Sequence, residues 1–218
     1  MTTQETLATI ESEGQRLVAF ASRAPDRVVP HYPTWTLRDL VSHVASVHAR
    51  TTIICTTLPQ TNVSAVRSPK GRDPFDWYAE TLPEMIGALR VADADADVWT
   101  LFEDRSLATW QRRMLIETSV HRWDAQQAIE EPQPLPSIVS GSGLDEFSDL
   151  WLPKLGSVPV IEVTATDLGR SWQFGSGDPV ASASDSGSKL YLRLMARPGA
   201  RFPSEWEAAV DAVPSPAG

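Results

Sequence analysis

The sequence contains one cysteine, Cys55, among its 218 residues. A single cysteine cannot form a disulfide within the chain, and it excludes a zinc site built from several cysteine thiolates. We expect Cys55 to pack as a small apolar residue, because no pattern around it suggests a nucleophile. Any thiol chemistry would therefore use a thiol supplied from outside the chain.

Long apolar runs and a surplus of positive charge are also absent. No stretch approaches the roughly 20 apolar residues that a transmembrane helix needs, and residues 1–5 show no basic region followed by an apolar run, so we expect no signal peptide. The net charge of −9 argues against broad binding to nucleic acids or anionic membranes. The sequence predicts a cytoplasmic protein with no nucleic-acid or membrane partner.

The remaining composition is that of a globular chain. Hydrophobic residues make up 42% and charged residues 22% of the sequence, which allows a sizeable core. The length suits either one large domain or one medium and one small domain. Helical periodicity dominates up to about residue 156, and β-branched alternation begins near Pro159. We predict an α+β protein, with a four-helix bundle over residues 1–156 and a small α+β domain over residues 157–218.

Four segments of the first part carry helix signals. Thr36 and Asp39 have the spacing of a capping box, and Asp73-Pro74 combines a cap with a first-turn proline. The predicted bundle helices are Thr3–Ala21, Thr36–Thr57, a helix that begins at Asp73-Pro74, and Leu107–Ile129.

The rest of the chain predicts shorter elements and turns. Val160–Asp167 and Ser171–Phe174 have the pattern of a β-hairpin. Two glycine-containing stretches, 141–143 and 175–177, lack the context of a phosphate loop and predict turns. Further helices are predicted over Leu144–Leu155, Lys189–Ala196 and Ser204–Val213.

A carboxylate and an imidazole share one face of the fourth predicted helix. Glu117 and His121 are four residues apart and therefore point the same way. Trp110 and Met114 lie on the same face, which predicts that it is buried. Buried polar groups are costly unless they are satisfied. A divalent metal would satisfy both groups, and His43, among core positions of the second helix, is the best candidate for a third ligand.

Two histidines and one carboxylate match the ligand count of a catalytic zinc site. Asp124 lies one turn beyond His121, where it could accept a hydrogen bond from a ligand imidazole or from a neighbouring side chain. The alternative is that Glu117 and His121 pair with each other, or with Arg113, inside a purely structural bundle. The spacing by itself leaves both interpretations open.

Two more residues of the second helix raise functional questions. His48 points away from the face that carries His43, so we expect it at the surface. Arg50 lies near that face, where it could hold an anionic substrate. A surface ion pair is the favoured interpretation for Arg50.

Three strings in the chain resemble a known family. They are Pro33–His43 (PTWTLRDLVSH), Glu117–Ala125 (ETSVHRWDA) and Val163–Trp172 (VTATDLGRSW). Together, in this order, they resemble the maleylpyruvate isomerase family of mycothiol-dependent enzymes, whose N-terminal bundle is DinB-like. The resemblance implies that His43, Glu117 and His121 are ligands of a divalent metal, with zinc as the expected ion. It also implies mycothiol as the cofactor thiol.

The resemblance implies an enzyme in which a metal-bound thiolate attacks a small electrophilic substrate, either as an S-transferase or as a cis-trans isomerase. Its partners would be a low-molecular-weight thiol and a small electrophile. Arg193, Arg197 and Arg201 are candidates for binding the thiol or the substrate. The family's usual Cys-Pro-Gly-Trp is replaced here by Tyr32-Pro33-Thr34-Trp35, which keeps open an alternative: a non-catalytic DinB-like module that binds a metal or another ligand.

Overall fold

The computed structural model describes residues 2–211, which form two compact units, one ending at Gln133 and one beginning at Pro134. The predicted α+β class is confirmed. The helices are α1 (Thr3–Ala21), α2 (Leu37–Thr57), α3 (Pro74–Val91), α4 (Ala108–Gln127), α5 (Ser137–Glu146), α6 (Gly187–Leu194) and α7 (Ser204–Asp211). The strands are β1 (Val28–Val29), β2 (Tyr32–Thr36), β3 (Ile161–Ala165), β4 (Arg170–Phe174) and β5 (Ala181–Asp185).

Helices α1 to α4 form the bundle of the first unit, in which α1 packs on α4 and α3 while α2 packs on α3 and α4. Local signals set where these helices begin. The Thr36 side chain accepts a hydrogen bond from the backbone N–H of Asp39, and the Asp39 carboxylate accepts one from the backbone of Thr36, which completes the predicted capping box. Asp73 caps α3 by accepting from the backbone N–H of Phe75. The predicted starts of α2 and α3 are confirmed.

Helix α4 is the centre of the bundle and is buried on nearly all sides. It carries several buried polar side chains. Among them, Arg122 donates from Nε to Glu13 of α1 at 2.7 Å and from Nη1 to the carbonyl of Gln133 at 3.0 Å. A buried charge is tolerated only when it is paired and hydrogen-bonded. This pairing ties α1 to α4 and holds the central helix in place.

A short hairpin of β1 and β2 precedes α2 and was not predicted. Val28 pairs with Thr36 and Val29 pairs with Tyr32, so the register shifts and three residues of β2 form a bulge between the paired positions. Pro33 lies in this bulge, where it has no ladder hydrogen bond to lose. The bulge places Tyr32 and Trp35, three residues apart, in stacked contact.

The second unit contains a three-stranded sheet in the order β4-β3-β5. The predicted hairpin is confirmed, because β3 and β4 pair antiparallel from Ile161 opposite Phe174 to Ala165 opposite Arg170. Strand β5 pairs parallel with β3 and was missed, because its sequence ASASD has none of the β-branched or aromatic residues that favour strands.

Residues 141–143 lie inside α5, so the turn predicted there is wrong. A Cβ on Gly143 would lie 2.6 Å from the Tyr191 ring of α6, so this glycine permits close helix packing. The turn predicted at residues 175–177 is confirmed, with positive φ at both glycines. The predicted helix Leu144–Leu155 overlaps the end of α5, a π-helical turn over Phe147–Trp151 and a 3₁₀ turn over Leu152–Lys154.

The division between the compact units falls before α5, whereas the sequence predicts a domain boundary at residues 156/157. Helix α5 lies on the second side of this division because it packs on α6. The boundary at 156/157 stays a prediction about domains that fold on their own. The last two residues of the predicted helix Ser204–Val213 lie outside the described residues.

Within residues 2–211, no helix combines the length and the apolar character needed to cross a bilayer.

Candidate metal centre

Helices α2 and α4 bring His43, Glu117 and His121 together. One ligand atom from each side chain lies within 4.8 Å of the other two. Oε1 of Glu117 is 3.1 Å from Nε2 of His43 and 3.1 Å from Nε2 of His121. The structure therefore places all three sequence-predicted ligands in one cluster, with a single carboxylate oxygen between the two imidazoles.

The three side chains differ in exposure. His121 and Glu117 are buried, at 2% and 5% exposed, whereas His43 is 19% exposed. Solvent therefore reaches the cluster on the side of His43. His43 is therefore the member of the cluster most accessible to an external molecule.

Arg113 holds the second oxygen of the Glu117 carboxylate. Its guanidinium, which lies one helical turn before Glu117, donates to Oε2. Burial alone would raise the pKa of Glu117, but the charges of Arg113 and His121 and the hydrogen bonds from His121 and His43 outweigh burial and hold the pKa well below its usual range. Glu117 is therefore ionised, and its Oε1 is oriented toward His43 and His121.

Asp124 fixes the other end of His121, as one of the sequence alternatives proposed. Its Oδ2 lies 3.0 Å from Nδ1 of His121, and Asp124 itself is completely buried. Burial lowers the pKa of His121, but the Glu117 charge and the hydrogen bonds to Asp124 and Glu117 outweigh it and raise the pKa to about 10. Without a metal, His121 is thus protonated at neutral pH.

The donor set is chemically suited to a divalent cation. Two imidazole nitrogens and one carboxylate oxygen are ligands that zinc and similar ions accept. Because Asp124 accepts from Nδ1–H of His121, loss of the second proton would leave the Nε2 lone pair directed at the cluster. Without a metal, the same groups form the ion-paired network with Arg113 that the sequence left as the alternative. Metal binding itself stays a prediction.

Replacing Asp124 with asparagine should weaken metal binding. Asparagine keeps the shape and can still accept from Nδ1–H, but it removes the charge that raises the basicity of the imidazole. We expect a loss of about 10- to 100-fold in affinity, measured by competition with a chromophoric chelator. Asp97→Asn is the control, since Asp97 pairs with Arg105 at the surface. Equal affinity of Asp124→Asn and wild type would contradict this role.

The prediction that His48 lies at the surface is wrong. His48 is completely buried, and its Nε2 lies 3.0 Å from Oγ1 of Thr118 on α4. Burial lowers the pKa of His48 to about 3, so the ring is neutral. Helical periodicity correctly predicted that His48 points away from the face of His43. A bundle helix, however, contacts neighbours on more than one side. His48 faces the interior between α2 and α4.

Because the His48 imidazole is buried, we expect the folded protein to lose stability in acid. The unfolded chain binds a proton at His48 below about pH 6.5, whereas the folded chain does so only near pH 3, so stability falls as the pH is lowered between these values. The slope is about 1.4 kcal/mol per pH unit. Urea unfolding at pH 6.5, 5.5 and 4.5 should show a steeper decline for wild type than for His48→Gln. Parallel declines would refute the assignment.

Two other candidates from the sequence, Arg50 and Cys55, lie on α2. Arg50 stacks over Trp99 and Trp110 and donates to Asn62, so the ion pair favoured for it is absent from the described residues. Cys55 is buried, and burial raises the pKa of its thiol to about 12, which makes it a poor nucleophile.

The three arginines proposed for the second unit differ in their surroundings. Arg193 pairs with Glu207 and Asp211 and so joins α6 to α7. Arg197 is buried and donates to the carbonyl of Met195. Arg201 is exposed. A role for any of them in binding thiol or substrate stays a prediction.

Sequence reasoning missed two aromatic residues beside the cluster. The Trp35 ring lies 5.0 Å from the ring of His43, and the Tyr32 ring lies 5.9 Å from that of His121. Both belong to β2, whose bulge brings them together. No periodicity marks this contact in the sequence, because the bulge interrupts the alternation of the strand.

Comparison with known proteins identifies a matching family and similar solved structures. The family model described as "Mycothiol maleylpyruvate isomerase N-terminal domain" matches residues 7–126, more than half of the chain. The crystal structure of the mycothiol-dependent maleylpyruvate isomerase is similar with a TM-score of 0.72 and 14% identity, over 94% of this chain and 96% of that chain. A mutant of that isomerase with one histidine changed to alanine gives a TM-score of 0.73 and 13% identity, over the same shares. Among curated proteins, none matches this sequence.

Proposed function

Because the chain belongs to the mycothiol maleylpyruvate isomerase N-terminal domain family, we propose that it is an enzyme that uses a divalent metal and mycothiol to attack a small electrophile. The metal would be held by His43, Glu117 and His121, with zinc as the expected ion. The proposed partners are the thiol and the electrophile, and the proposed location is the cytoplasm.

The observation that carries this proposal is the position of the Glu117 carboxylate. One oxygen lies 3.1 Å from each of two imidazole nitrogens, and the other accepts from Arg113. Three protein ligands leave a position of a tetrahedral ion open for an external ligand. The partial exposure of His43 is consistent with an external ligand that arrives on that side.

Each residue of the cluster has a defined task in this proposal. Arg113 keeps the Glu117 carboxylate ionised and oriented. Asp124 holds one proton of His121 on Nδ1, so that Nε2 is the nitrogen that coordinates once it has lost its own proton. A divalent metal at this site would supply positive charge that favours a thiolate over a thiol, whose free pKa near 8.5 leaves little thiolate at neutral pH.

Two outcomes follow from attack by a thiolate sulfur on carbon. If the carbon belongs to a double bond conjugated to a carbonyl, a C–S bond forms and the π electrons move toward the carbonyl. Rotation and expulsion of the sulfur then restore the double bond in the other geometry, which is isomerisation. If the carbon carries a leaving group, that group departs with its bonding electron pair, and the product is a thioether. We propose both reactions as alternatives for this site.

The test begins with metal analysis of protein purified without chelators. The metal-loaded protein is then mixed with mycothiol and either maleylpyruvate, for isomerisation, or monobromobimane and chlorodinitrobenzene, for S-transfer. We expect about one equivalent of metal and a rate above the uncatalysed reaction with at least one electrophile. Glutathione in place of mycothiol tests whether the thiol is selected.

Bound metal with no rate from any thiol would favour the non-catalytic binding module over the enzyme. Absence of metal after reconstitution with zinc, manganese or nickel would favour the structural Glu–His network.

A further inference from the structure

The side on which the cluster meets solvent is flanked by aromatic rings. His43 is the partly exposed member of the cluster, and the half-buried Trp35 ring lies 5.0 Å from it at an angle of 45°. Trp35 therefore lies next to the ligand that is most accessible to an external molecule.

Tyr32 extends this aromatic surface inward. Its ring stacks on that of Trp35, with centroids 4.7 Å apart and planes 24° apart, and it also faces His121 at 5.9 Å. The two rings thus run from the partly exposed His43 to the buried His121. We call Tyr32 and Trp35 the aromatic rim.

The aromatic rim is held by the backbone on both sides. Tyr32 pairs with Val29 of β1, and Thr36, next to Trp35, is the residue that caps α2. Because α2 also carries His43, the position of Trp35 relative to the cluster is set by one short, hydrogen-bonded segment. A surface that is already ordered loses little entropy when a ligand binds to it.

We propose that the aromatic rim selects electrophiles in which the reacting carbon is attached to a flat aromatic group. The half-buried Trp35 indole, backed by the buried Tyr32 ring, offers a polarisable aromatic surface. Such a surface interacts best with another planar ring in an offset or tilted arrangement. The reacting carbon of such a molecule would then lie toward His43 and His121. This inference deepens the proposed function and rests on it.

The test uses two α-chloroketones that differ in one group. 2-Chloroacetophenone carries a phenyl ring where chloroacetone carries a methyl group. In both, the mycothiol sulfur forms a C–S bond, chloride leaves with the electron pair of the C–Cl bond, and the thiol proton goes to solvent. Rates are divided by the uncatalysed rates, so that intrinsic reactivity cancels.

We expect wild type to prefer the aryl ketone by about 2- to 13-fold in corrected kcat/KM, the range that a stacking contact supplies. Trp35→Leu should remove this preference through KM for the aryl ketone, with metal content unchanged. Trp35→Phe should keep part of it. Trp99→Leu makes the same substitution at a half-buried tryptophan of the same unit that contacts Arg50 and Trp110, and it should keep the preference.

A second measurement separates this inference from the proposed function. Acetophenone, the unreactive parent, should bind the metal-free protein and shift the indole N–H resonance of Trp35, whereas acetone should not. Binding of acetophenone without any thiol transfer would refute the proposed function and support the aromatic rim. Thiol transfer with equal corrected rates for both ketones, or an unchanged preference in Trp35→Leu, would refute the aromatic rim alone.

Discussion

Replacing His121 with alanine should abolish metal uptake and turnover together. The change removes the ligand whose Nε2 lies 3.1 Å from Glu117 and whose Nδ1 is held by the buried Asp124. Two ligands would remain, His43 and Glu117, on two different helices. Loss of a supporting hydrogen bond costs roughly 10- to 100-fold in affinity or activity, and loss of the ligand should exceed that range.

The experiment measures metal per chain after dialysis against the metal ion, and the initial rate with mycothiol and the best electrophile. His48→Gln is the matched control, because it removes an imidazole from the same pair of helices without touching the cluster. Circular dichroism shows whether both variants fold. Full activity in a metal-free, folded His121→Ala protein would contradict the metal-dependent proposal.

Metal affinity should rise steeply with pH. In the metal-free protein the pKa of His121 is raised to about 10 by Glu117 and Asp124, despite burial. A metal ion must therefore displace a proton from Nε2 at any lower pH. Each unit of pH makes that displacement about tenfold easier, so the dissociation constant should fall by about 100-fold between pH 6.5 and pH 8.5.

Competition with a chromophoric chelator, corrected for the chelator's own titration, measures this slope. The metal-free protein should show the opposite trend in stability. A folded pKa above the unfolded value means that the contribution of His121 is fully present below about pH 6.5 and is lost as the pH rises toward 10. A metal affinity that is independent of pH would contradict a protonated His121 in the metal-free state.

The local features of the fold were predictable from the sequence. The capping box at Thr36, the proline-started α3 and the hairpin of β3 and β4 depend on residues close together in the chain, and the structure contains each of them. Strand β5 was missed because it is held by a parallel partner distant in sequence. A strand of alanine and serine carries little local preference, so its pairing depends on where β3 lies.

The same division applies to the candidate site. Helical spacing placed Glu117 and His121 on one face, and it made His43 the best third candidate. Spacing could not show that Arg113 would take one carboxylate oxygen and leave the other to the imidazoles. Helical spacing also predicted that His48 points away from His43, but it could not show that His48 is then buried inside the bundle. Both the partners of the Glu117 carboxylate and the burial of His48 depend on contacts between helices.

The sequence by itself determined helices α1 to α4, their approximate starts and the shared face of Glu117 and His121, because hydrogen bonds and side-chain spacing within a helix depend on neighbours three or four residues away. Only the tertiary structure decided that His43 meets that face, that His48 is buried and that Tyr32 and Trp35 flank the cluster. These facts depend on how α2, α4 and the β1–β2 hairpin pack, and packing joins residues that the sequence separates by many positions.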